Sequence, residues 1–423
     1  MPIVKGLADV VFTQTEISHP DSDNSNLIYR GYSIDDLVKG NASFEEVAHL
    51  ILYGHLPSEQ ELSTFVGQLV ANRTLPEPIY AWLKALPEHV VPMTVLRTAV
   101  SMLANYDPLI EDITIPTTLR KATRLIAQFP IICAAFQRIR DGQEVIAPDP
   151  KLGHAANILY MLNGKTPDPD FTRAMNAYLV MLTDHSMNNS TFTARTVASA
   201  QADLHSAVTA ALASLKGPLH GGANEATMKL LLEIGDESKV DGWVDRAFET
   251  KRLIMGFGHR IYKHGDPRAR HLNLLAEEMG RKVGALKYYT MSRMVEQAVL
   301  RHREIYPNVD FYSASMMYYV GIPIDLFTPM FACARIAGWS AHVIEQYKDA
   351  ALVRPKSEYI GPRGLAYPPV ADRDAPWAVP SSADHPPRRD AVRPSPILTL
   401  ANACLISAIR SSGCSTPTDR RTS

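Results

Sequence analysis

Three segments of this chain hold a histidine or a carboxylate in surroundings that suit catalysis. His220 lies in "GPLHGGANEA" and His259 in "GFGHRIYKHGDPR", each beside glycines that let a ligand approach the backbone closely. Asp310, in "YPNVDFYSASMMYYVGIPI", is the only charged residue between Tyr306 and Ile324. A carboxylate among apolar side chains has a raised pKa and is a competent general base near neutral pH. These residues suit proton abstraction next to a carbonyl group.

Simpler structural interpretations exist for the same residues. His220 could cap the helix that starts in "NEATMKLLLEI", and Asp310 could cap the helix that begins beside it. In the functional interpretation, the positive end of that helix keeps the His220 ring neutral, so that it can donate a hydrogen bond. The "GFGH" stretch lacks the third glycine and the strand–helix context of a dinucleotide fingerprint, so this motif is rejected.

Arginines near these segments could hold an anionic second substrate. Arg268 follows an Asp-Pro turn within reach of His259, although it could also be a solvated arginine on a surface turn. Arg335 is the sole formal charge in the apolar stretch "FTPMFACARIAGWSAHVI". A buried guanidinium needs an anionic partner, which would be an internal or a substrate carboxylate. Arg354, in "LVRPKSEYIGP", is a further candidate that on its own would pass as a solvated charge.

The elements that carry these residues are predicted to be mainly helical. S-x-x-E capping boxes at Ser43 and at Ser58 precede periodic apolar residues, which predicts two helices. Further helices are predicted in "TTLRKATRLIAQFPIICAAFQRIRDG", "DFTRAMNAYLVMLTDHS", "DLHSAVTAALASLKG" and "NEATMKLLLEIG". Only the first thirty residues predict strands, in "VVFTQTEI" and "LIYRGY" around a polar turn "SHPDSDNSN". No alternation of strands and helices follows, which disfavours a doubly wound nucleotide-binding fold.

Composition and charge exclude several classes of protein. The chain has 423 residues, 46% hydrophobic and 21% charged, which predicts a globular protein of two domains or of one large domain with a smaller partner. A formal net charge of -1 disfavours a nucleic-acid partner. The chain has no membrane-length apolar stretch and no signal-peptide pattern, so a cytoplasmic protein without a membrane partner is expected. The Pro-rich residues 368–423 predict a disordered tail.

The sequence predicts no metal site. The histidines and carboxylates show no H-x-x-x-H pair and no cluster with metal-ligand spacing, which disfavours a metal-dependent hydrolase. The four cysteines show no metal-type spacing either, and the two that lie in apolar helical text are expected to be buried free thiols. The cysteines are Cys133, Cys333, Cys404 and Cys414.

Four motifs occur in one order and spacing that resembles the citrate synthase family. They are "GPLHGGANEA", "GFGHRIYKHGDPR", "PNVDFYS" and "RPKSEYIGP", and the likeness runs from about Gly6 to about Gly364. The resemblance implies a mainly α, multi-helical two-domain fold with a short N-terminal β-hairpin, assembled as a homodimer. It implies a large domain of residues 1–221 and 322–367 and a small mobile domain of residues 222–321 on the CoA side.

The resemblance also implies a reaction, in which acetyl-CoA condenses with oxaloacetate and citryl-CoA is hydrolysed to citrate and CoA. Acetyl-CoA is a substrate, and no tightly bound cofactor is expected. Matched residue by residue, Asp310 removes a proton from the acetyl methyl group, His220 hydrogen-bonds the thioester oxygen, and His259 polarises the ketone of oxaloacetate. Oxaloacetate is expected to contact His185, Arg268, Arg335 and Arg354, the last from the partner subunit. CoA is expected to contact Ile254, Met255, Gly256, Phe257, Gly258 and Lys263.

Two alternatives to this activity remain open at the level of sequence. 2-Methylcitrate synthase shares the four motifs and uses propionyl-CoA, a difference of one methylene worth only about 1–3 kcal/mol in a pocket. The residues of "GFGHRIYKHGDPR" and "NVDFYS" look closer to those of citrate synthase than to those of 2-methylcitrate synthase. A non-catalytic helical scaffold that has kept the fold would show damage to the catalytic set, yet His220, His259 and Asp310 are all intact.

Overall fold

The computed structural model describes residues 3–7, 10–367 and 369–372, and most of these described residues are α-helical. The mainly α class predicted from the sequence is therefore confirmed. The helices in chain order are α1 (Ile34–Lys39), α2 (Phe44–Tyr53), α3 (Glu59–Ala71), α4 (Glu77–Lys84), α5 (Pro92–Leu103), α6 (Ile115–Arg140), α7 (His154–Asn163), α8 (Pro169–Leu182), α9 (Asn189–Ala198), α10 (Leu204–Leu215), α11 (Ala223–Ile234), α12 (Val240–Glu249), α13 (Pro267–Lys282), α14 (Lys287–His302), α15 (Val309–Val320) and α16 (Phe327–Asp349).

The chain divides into two compact units. The first comprises Met1–Phe248 and Ile254–Val353, and the second comprises Glu249–Leu253 and Arg354–Ser423, each as far as it is described. The first unit holds nearly all of the helices, and so contains most of both domains expected from the family resemblance. The boundary between those two domains remains a prediction. The expected disordered tail lies outside the described residues, apart from residues 369–372.

A small antiparallel sheet near the N-terminus has the order β1 (Ser18–Asp21), β2 (Asn26–Tyr29), β3 (Tyr32–Ser33). The predicted hairpin is confirmed, but the strand predicted in "VVFTQTEI" is wrong. The first strand lies instead in the segment predicted to be a turn, and its Ser18 pairs with Tyr29. This strand is an edge strand, where polar residues and a proline such as Pro20 are tolerated, so polarity was a poor guide.

The two capping boxes predicted from S-x-x-E spacing are both present. The Ser43 side chain accepts the Glu46 N–H at the start of α2, and the Glu46 carboxylate accepts the Ser43 N–H in return. Ser58 and Glu61 make the same reciprocal pair at the start of α3. Each box satisfies backbone donors that the first turn of a helix leaves unpaired, which is why these helices begin where they do.

Helix α16 runs through the hydrophobic core. Every residue from Phe327 to Ile344 is buried, and the helix packs against α2, α6, α8, α9 and α10. A helix that is apolar on all sides must be surrounded by other elements. Its one charged residue in this span, Arg335, is therefore held inside the protein rather than at its surface.

The remaining expectations about the core concern cysteines and apolar helices. Cys133 of α6 and Cys333 of α16 are buried free thiols, as predicted, whereas Cys404 and Cys414 lie outside the described residues. Among the helices that are described, none has a long enough apolar stretch to cross a lipid bilayer.

Candidate active site

The loop before His259 is tied to the segment that leads into α15. The Gly258 N–H donates to the Tyr306 carbonyl, and the Asn308 N–H donates to the Gly256 carbonyl, both at 2.9 Å. The Asn308 side-chain amide also donates to the Gly258 carbonyl at 2.9 Å. These bonds hold His259 in a fixed relation to the start of α15, so two segments that the sequence singled out belong to one local structure.

Gly256 allows this loop to pack its backbone against α11 and α15. Its φ is +83°, in the left-handed region that favours glycine. A Cβ atom here would lie 2.8 Å from Thr227 Oγ1 of α11 and 2.9 Å from the Phe311 ring of α15. Gly258 has a similar φ of +79°, but its nearest neighbour would be Ile305 Cγ2 at 3.5 Å, so it has more open surroundings.

Asp310 is buried in the first turn of α15. Asn308 caps this helix, and its Oδ1 accepts the Asp310 N–H at 3.0 Å, so the alternative in which Asp310 is the cap is wrong. Burial raises the pKa of Asp310 to about 7, although the nearby positive charge of Arg268 acts in the opposite direction. With this pKa, about half of the molecules hold the ionised carboxylate at pH 7, and it binds a proton far more strongly than a solvated carboxylate does.

Arg268 is buried in the first turn of α13 and paired with Asp266. The Asp266 carboxylate accepts hydrogen bonds from Arg268 Nε and Nη2 at 2.9 and 2.8 Å. It also accepts the Val309 N–H at 3.0 Å, so one carboxylate joins the arginine to the helix that carries Asp310. The Arg268 side chain is only 3% exposed, so the alternative of a solvated arginine on a surface turn is wrong.

Backbone hydrogen bonds select one form of the His259 ring. The N–H groups of Ile261 and Tyr262 both point at Nδ1, at 3.0 and 3.2 Å, so this nitrogen is an acceptor. Burial lowers the pKa of His259 to about 4, and the charge of Arg268 adds to this effect. The ring is therefore neutral at pH 7 and carries its proton on Nε2, which suits it to donate a hydrogen bond to a ligand oxygen.

His185 lies beside His259, with 5.2 Å between the ring centroids. Burial lowers the pKa of His185 well below its usual value of 6.5, and Arg268 lowers it further. Its Nε2 is buried and has no hydrogen-bond partner among the residues that the structure describes. Leaving a buried polar atom unpaired costs about 1–3 kcal/mol, so a ligand that hydrogen-bonds this nitrogen would be favoured.

His220 precedes α11 and is held from one side by Ser190 of α9. The Ser190 N–H donates to His220 Nε2 at 3.3 Å, and the Ser190 hydroxyl lies 2.8 Å from the same nitrogen. The Ser190 hydroxyl itself donates to Asn188 Oδ1 at 2.8 Å, so it is the Ser190 backbone N–H, which can only donate, that makes Nε2 of His220 an acceptor. Burial lowers the pKa of His220 to about 4, and Arg335 contributes. The neutral ring therefore keeps its proton on Nδ1 as a free donor.

Arg335 presents an unpaired donor inside the core. Its Nε donates to the Leu182 carbonyl at 2.8 Å, while its Nη2 is buried without a hydrogen-bond partner in the described part of the chain. Burial lowers the pKa of Arg335 to about 10, so the group still carries its charge at neutral pH. Burying a guanidinium N–H without a partner is unfavourable in free energy, and a ligand carboxylate would accept its hydrogen bond with good geometry.

A cavity of about 340 Å³ lies beside the His259 loop. Of the residues expected to contact CoA, Gly258 and Lys263 line it, whereas Ile254 and Gly256 are buried. Lys263 is exposed and lines the cavity together with Arg303, while the carboxylates of Glu304 and Asp266 line it as well, and Asp266 is already paired with Arg268. Tyr306 also lines the cavity, so the same loop pairing that positions His259 forms one of its walls.

The expected residues of the first unit act on one another electrostatically. Arg268 and Arg335 both influence the pKa of His185 and that of Asp310, and Arg335 influences that of His220. The arrangement combines neutral hydrogen-bond donors, a base with a pKa near 7 and two guanidinium groups. Such a set can remove a proton from carbon, stabilise an oxyanion and bind carboxylates. Arg354 belongs to the second unit, where it is exposed.

Sequence reasoning did not identify Ser190 as a functional residue and assigned Asp266 only a local role. Ser190 lies 30 residues before the ring that it contacts, and Asp266 lies 43 residues before Val309. The one available signal for Ser190 was its place in "TDHSMNNSTF", the segment that also holds His185. Contacts between residues so far apart in the chain cannot be read from spacing alone.

The chain is similar in sequence to known proteins. The family model for the C-terminal domain of citrate synthase matches residues 6–356. Citrate synthase 2 of Bacillus subtilis (strain 168) is 44% identical over 374 residues, which cover 88% of this chain and 100% of that protein. 2-Methylcitrate synthase 2 of Corynebacterium glutamicum is 39% identical over 376 residues, covering 87% of this chain and 97% of that protein.

A solved structure shares the fold. It is the ternary complex of carboxymethyl coenzyme A and oxaloacetate with citrate synthase from Thermoplasma acidophilum. Its TM-score is 0.84 at 33% sequence identity, and the match covers 88% of this chain and 100% of that one. The match to the family model over most of the chain and the near-complete coverage of these relatives lead to one conclusion. The chain belongs to the citrate synthase family of acyltransferase enzymes.

Proposed function

We propose that this protein condenses acetyl-CoA with oxaloacetate and hydrolyses citryl-CoA to citrate and CoA. The observation that carries the proposal is the buried carboxylate of Asp310, whose pKa of about 7 suits the removal of a proton from the acetyl methyl group. Arg268 lies close enough to affect that pKa and is held to the helix of Asp310 through Asp266. Acetyl-CoA acts as a substrate, and we expect no tightly bound cofactor.

The steps up to the condensation each have a residue that suits them. Asp310 takes the proton from the methyl carbon, and the electron pair moves to the thioester oxygen, where the Nδ1–H of His220 stabilises the enol. The enol carbon then forms a bond with the ketone carbon of oxaloacetate. The Nε2–H of His259 stabilises the alkoxide that develops on the ketone oxygen. Water finally cleaves the thioester, which releases CoA and the new carboxylate.

Binding of oxaloacetate would satisfy the donors that the protein leaves unpaired. The Nη2 of Arg335 and the Nε2 of His185 are both buried without partners in the described residues, and Arg268 adds a second guanidinium. CoA would bind at the loop from Ile254 to Gly258, with Lys263 near a phosphate. We further propose that residues 222–321 move as a small domain that closes over the substrates and excludes water as the enol forms.

The assembly proposed is a homodimer in which Arg354 reaches the active site of the partner subunit. Within its own chain Arg354 belongs to the second unit and is exposed, which is compatible with a contact to another subunit. In this arrangement each site needs residues from two chains, and an isolated subunit would bind oxaloacetate with one arginine missing.

The substitution Asp310→Asn tests the function. It should lower turnover by roughly 10²–10⁴-fold, because the amide cannot accept the methyl proton, while oxaloacetate binding stays nearly unchanged. CoA release measured with a thiol reagent gives the rate, and titration calorimetry gives the binding. The exposed Asp36→Asn on α1 is the matched control and should keep full activity. Loss of oxaloacetate binding with retained turnover in Asp310→Asn would refute the assignment.

A second candidate is 2-methylcitrate synthesis from propionyl-CoA. It is favoured by the likeness to a 2-methylcitrate synthase over 87% of the chain. Since one methylene changes the rate by only about 10–200-fold, the two substrates must be compared directly. We expect kcat/KM to be higher with acetyl-CoA than with propionyl-CoA at saturating oxaloacetate. A higher value with propionyl-CoA would replace the first proposal with the second.

A further inference from the structure

Three side chains outside the candidate active site meet where α2 ends and α3 begins. His49 lies on α2, His55 in the connecting segment and Glu61 in the first turn of α3. One potential ligand atom from each lies within 4.8 Å of the others. Two imidazoles and a carboxylate form a donor set that suits Zn²⁺ and leaves a fourth tetrahedral position for water.

A backbone carbonyl sets the tautomer of His49. Its Nδ1 lies 3.2 Å from the His55 carbonyl, which can only accept, so Nδ1 carries the proton and Nε2 keeps its lone pair. The residue is buried, and the Tyr53 ring stacks on it with 4.4 Å between centroids. Metal-bound histidines usually donate their other ring N–H to a carbonyl or carboxylate in this way.

His55 and Glu61 add a carboxylate that is oriented and an imidazole that can move. His55 Nε2 lies 3.0 Å from Glu61 Oε1, and the two side chains are 54% and 46% exposed. The other oxygen of Glu61 accepts the Ser58 N–H and hydroxyl at 2.8 and 2.7 Å, so the capping box holds the carboxylate while Oε1 faces His55. Tetrahedral ligand atoms are about 3.4 Å apart, a spacing that small side-chain movements would reach.

We propose that His49, His55 and Glu61 bind one divalent transition-metal ion, for which Zn²⁺ is the best fit, with water as the fourth ligand. The ion takes the place of the proton between His55 Nε2 and Glu61, and His55 binds it as the neutral imidazole that carries its one proton on Nδ1. The bound ion links the end of α2 to the start of α3. Because it binds the folded chain, it stabilises the protein by mass action.

Titration of the full-length, chelator-treated protein with zinc chloride tests this site. The parent should bind one Zn²⁺ more tightly than His55→Ala and Glu61→Gln do, by roughly 100-fold, because each variant lacks one of three ligands. Glutamine can keep the capping box, so Glu61→Gln separates loss of the ligand from loss of the helix start. Zn²⁺ should also raise the Tm of the parent and leave that of Glu61→Gln unchanged.

His302→Ala is the matched control. His302 Nε2 lies 2.7 Å from Asp245 Oδ1 at the surface, yet this pair belongs to no three-ligand group among the described residues. The control should bind Zn²⁺ like the parent. Cys404 and Cys414 are present in every variant, so any binding by them cancels in the comparison. Equal affinity in the parent and His55→Ala, or an equal loss in His302→Ala, would overturn the proposal.

Discussion

A buried base has a cost in stability that follows from its chemistry. Asp310 is ionised in the unfolded chain above a pKa of 3.8, whereas burial raises its pKa to about 7 in the folded protein. Between these two values the folded state holds a proton that the unfolded state has lost. The contribution of Asp310 to stability therefore falls as the pH rises through this window, and it stays low above pH 7. The residue gains basicity at the expense of the fold that holds it.

Replacement by the neutral amide should remove this pH dependence. We expect Asp310→Asn to be more stable than the parent, and the difference in free energy of unfolding to widen by about 2–3 kcal/mol between pH 5 and pH 8. Chemical denaturation at both pH values measures it, with the exposed Asp36→Asn as the control for loss of a charge. A constant difference across the two pH values would mean that Asp310 is not desolvated.

At the level of elements, the site depends on how closely the loop before His259 packs against α11 and α15. Gly256 makes this contact with its bare backbone, and Asp266 joins the first turns of α13 and α15. The reactive groups are therefore set by contacts between elements rather than by the loop itself. A change that lifts the loop from α15 would disturb His259 and Asp310 together.

Gly256→Ala should lower both stability and turnover. The added methyl group costs about 1–2 kcal/mol for the left-handed backbone and about 1–3 kcal/mol more for contact with Thr227 and Phe311. Gly321→Ala is a matched control, because its φ of +87° is similar and a Cβ there meets nothing within 4 Å. The Tm of thermal unfolding and kcat should both fall further in Gly256→Ala than in the control. Equal effects would show that packing at Gly256 is unimportant.

The sequence could predict contacts between residues that lie near one another in the chain, but not contacts between distant elements. Capping boxes at Ser43 and Ser58 depend on residues three apart, and they were found correctly. The first strand was misplaced because its pairing partner, and not its own polarity, decides where it lies. The sequence identified the isolated charge of Asp310 among apolar residues. It could not identify Ser190 as the partner of His220, because that contact exists only once α9 and the segment before α11 have folded together.

For the whole molecule, the proposed homodimer raises the question of whether Arg354 serves the active site of its own chain or that of the partner. Substitutions tested one at a time cannot answer this question. Asp310 and His220 lie in the first unit of the chain, and Arg354 lies in the second. If Arg354 completes the partner's site, each active site combines Asp310 of one chain with Arg354 of the other. A mixed dimer with one of these two residues altered in each chain would then keep one intact active site. A mixed dimer in which each chain carries a defect in its own site would keep none.

A mixed dimer of Asp310→Asn and Arg354→Ala subunits, purified through two different tags, should recover activity, although the homodimer of each variant is nearly inactive. One of its two sites combines both intact residues, so about half of the activity of the unaltered dimer is expected. A mixed dimer of Asp310→Asn and His220→Gln is the control and should stay inactive, because both residues serve the site of their own chain. CoA release by the purified hybrids measures the outcome. An inactive Asp310→Asn with Arg354→Ala hybrid would mean that Arg354 does not act across subunits.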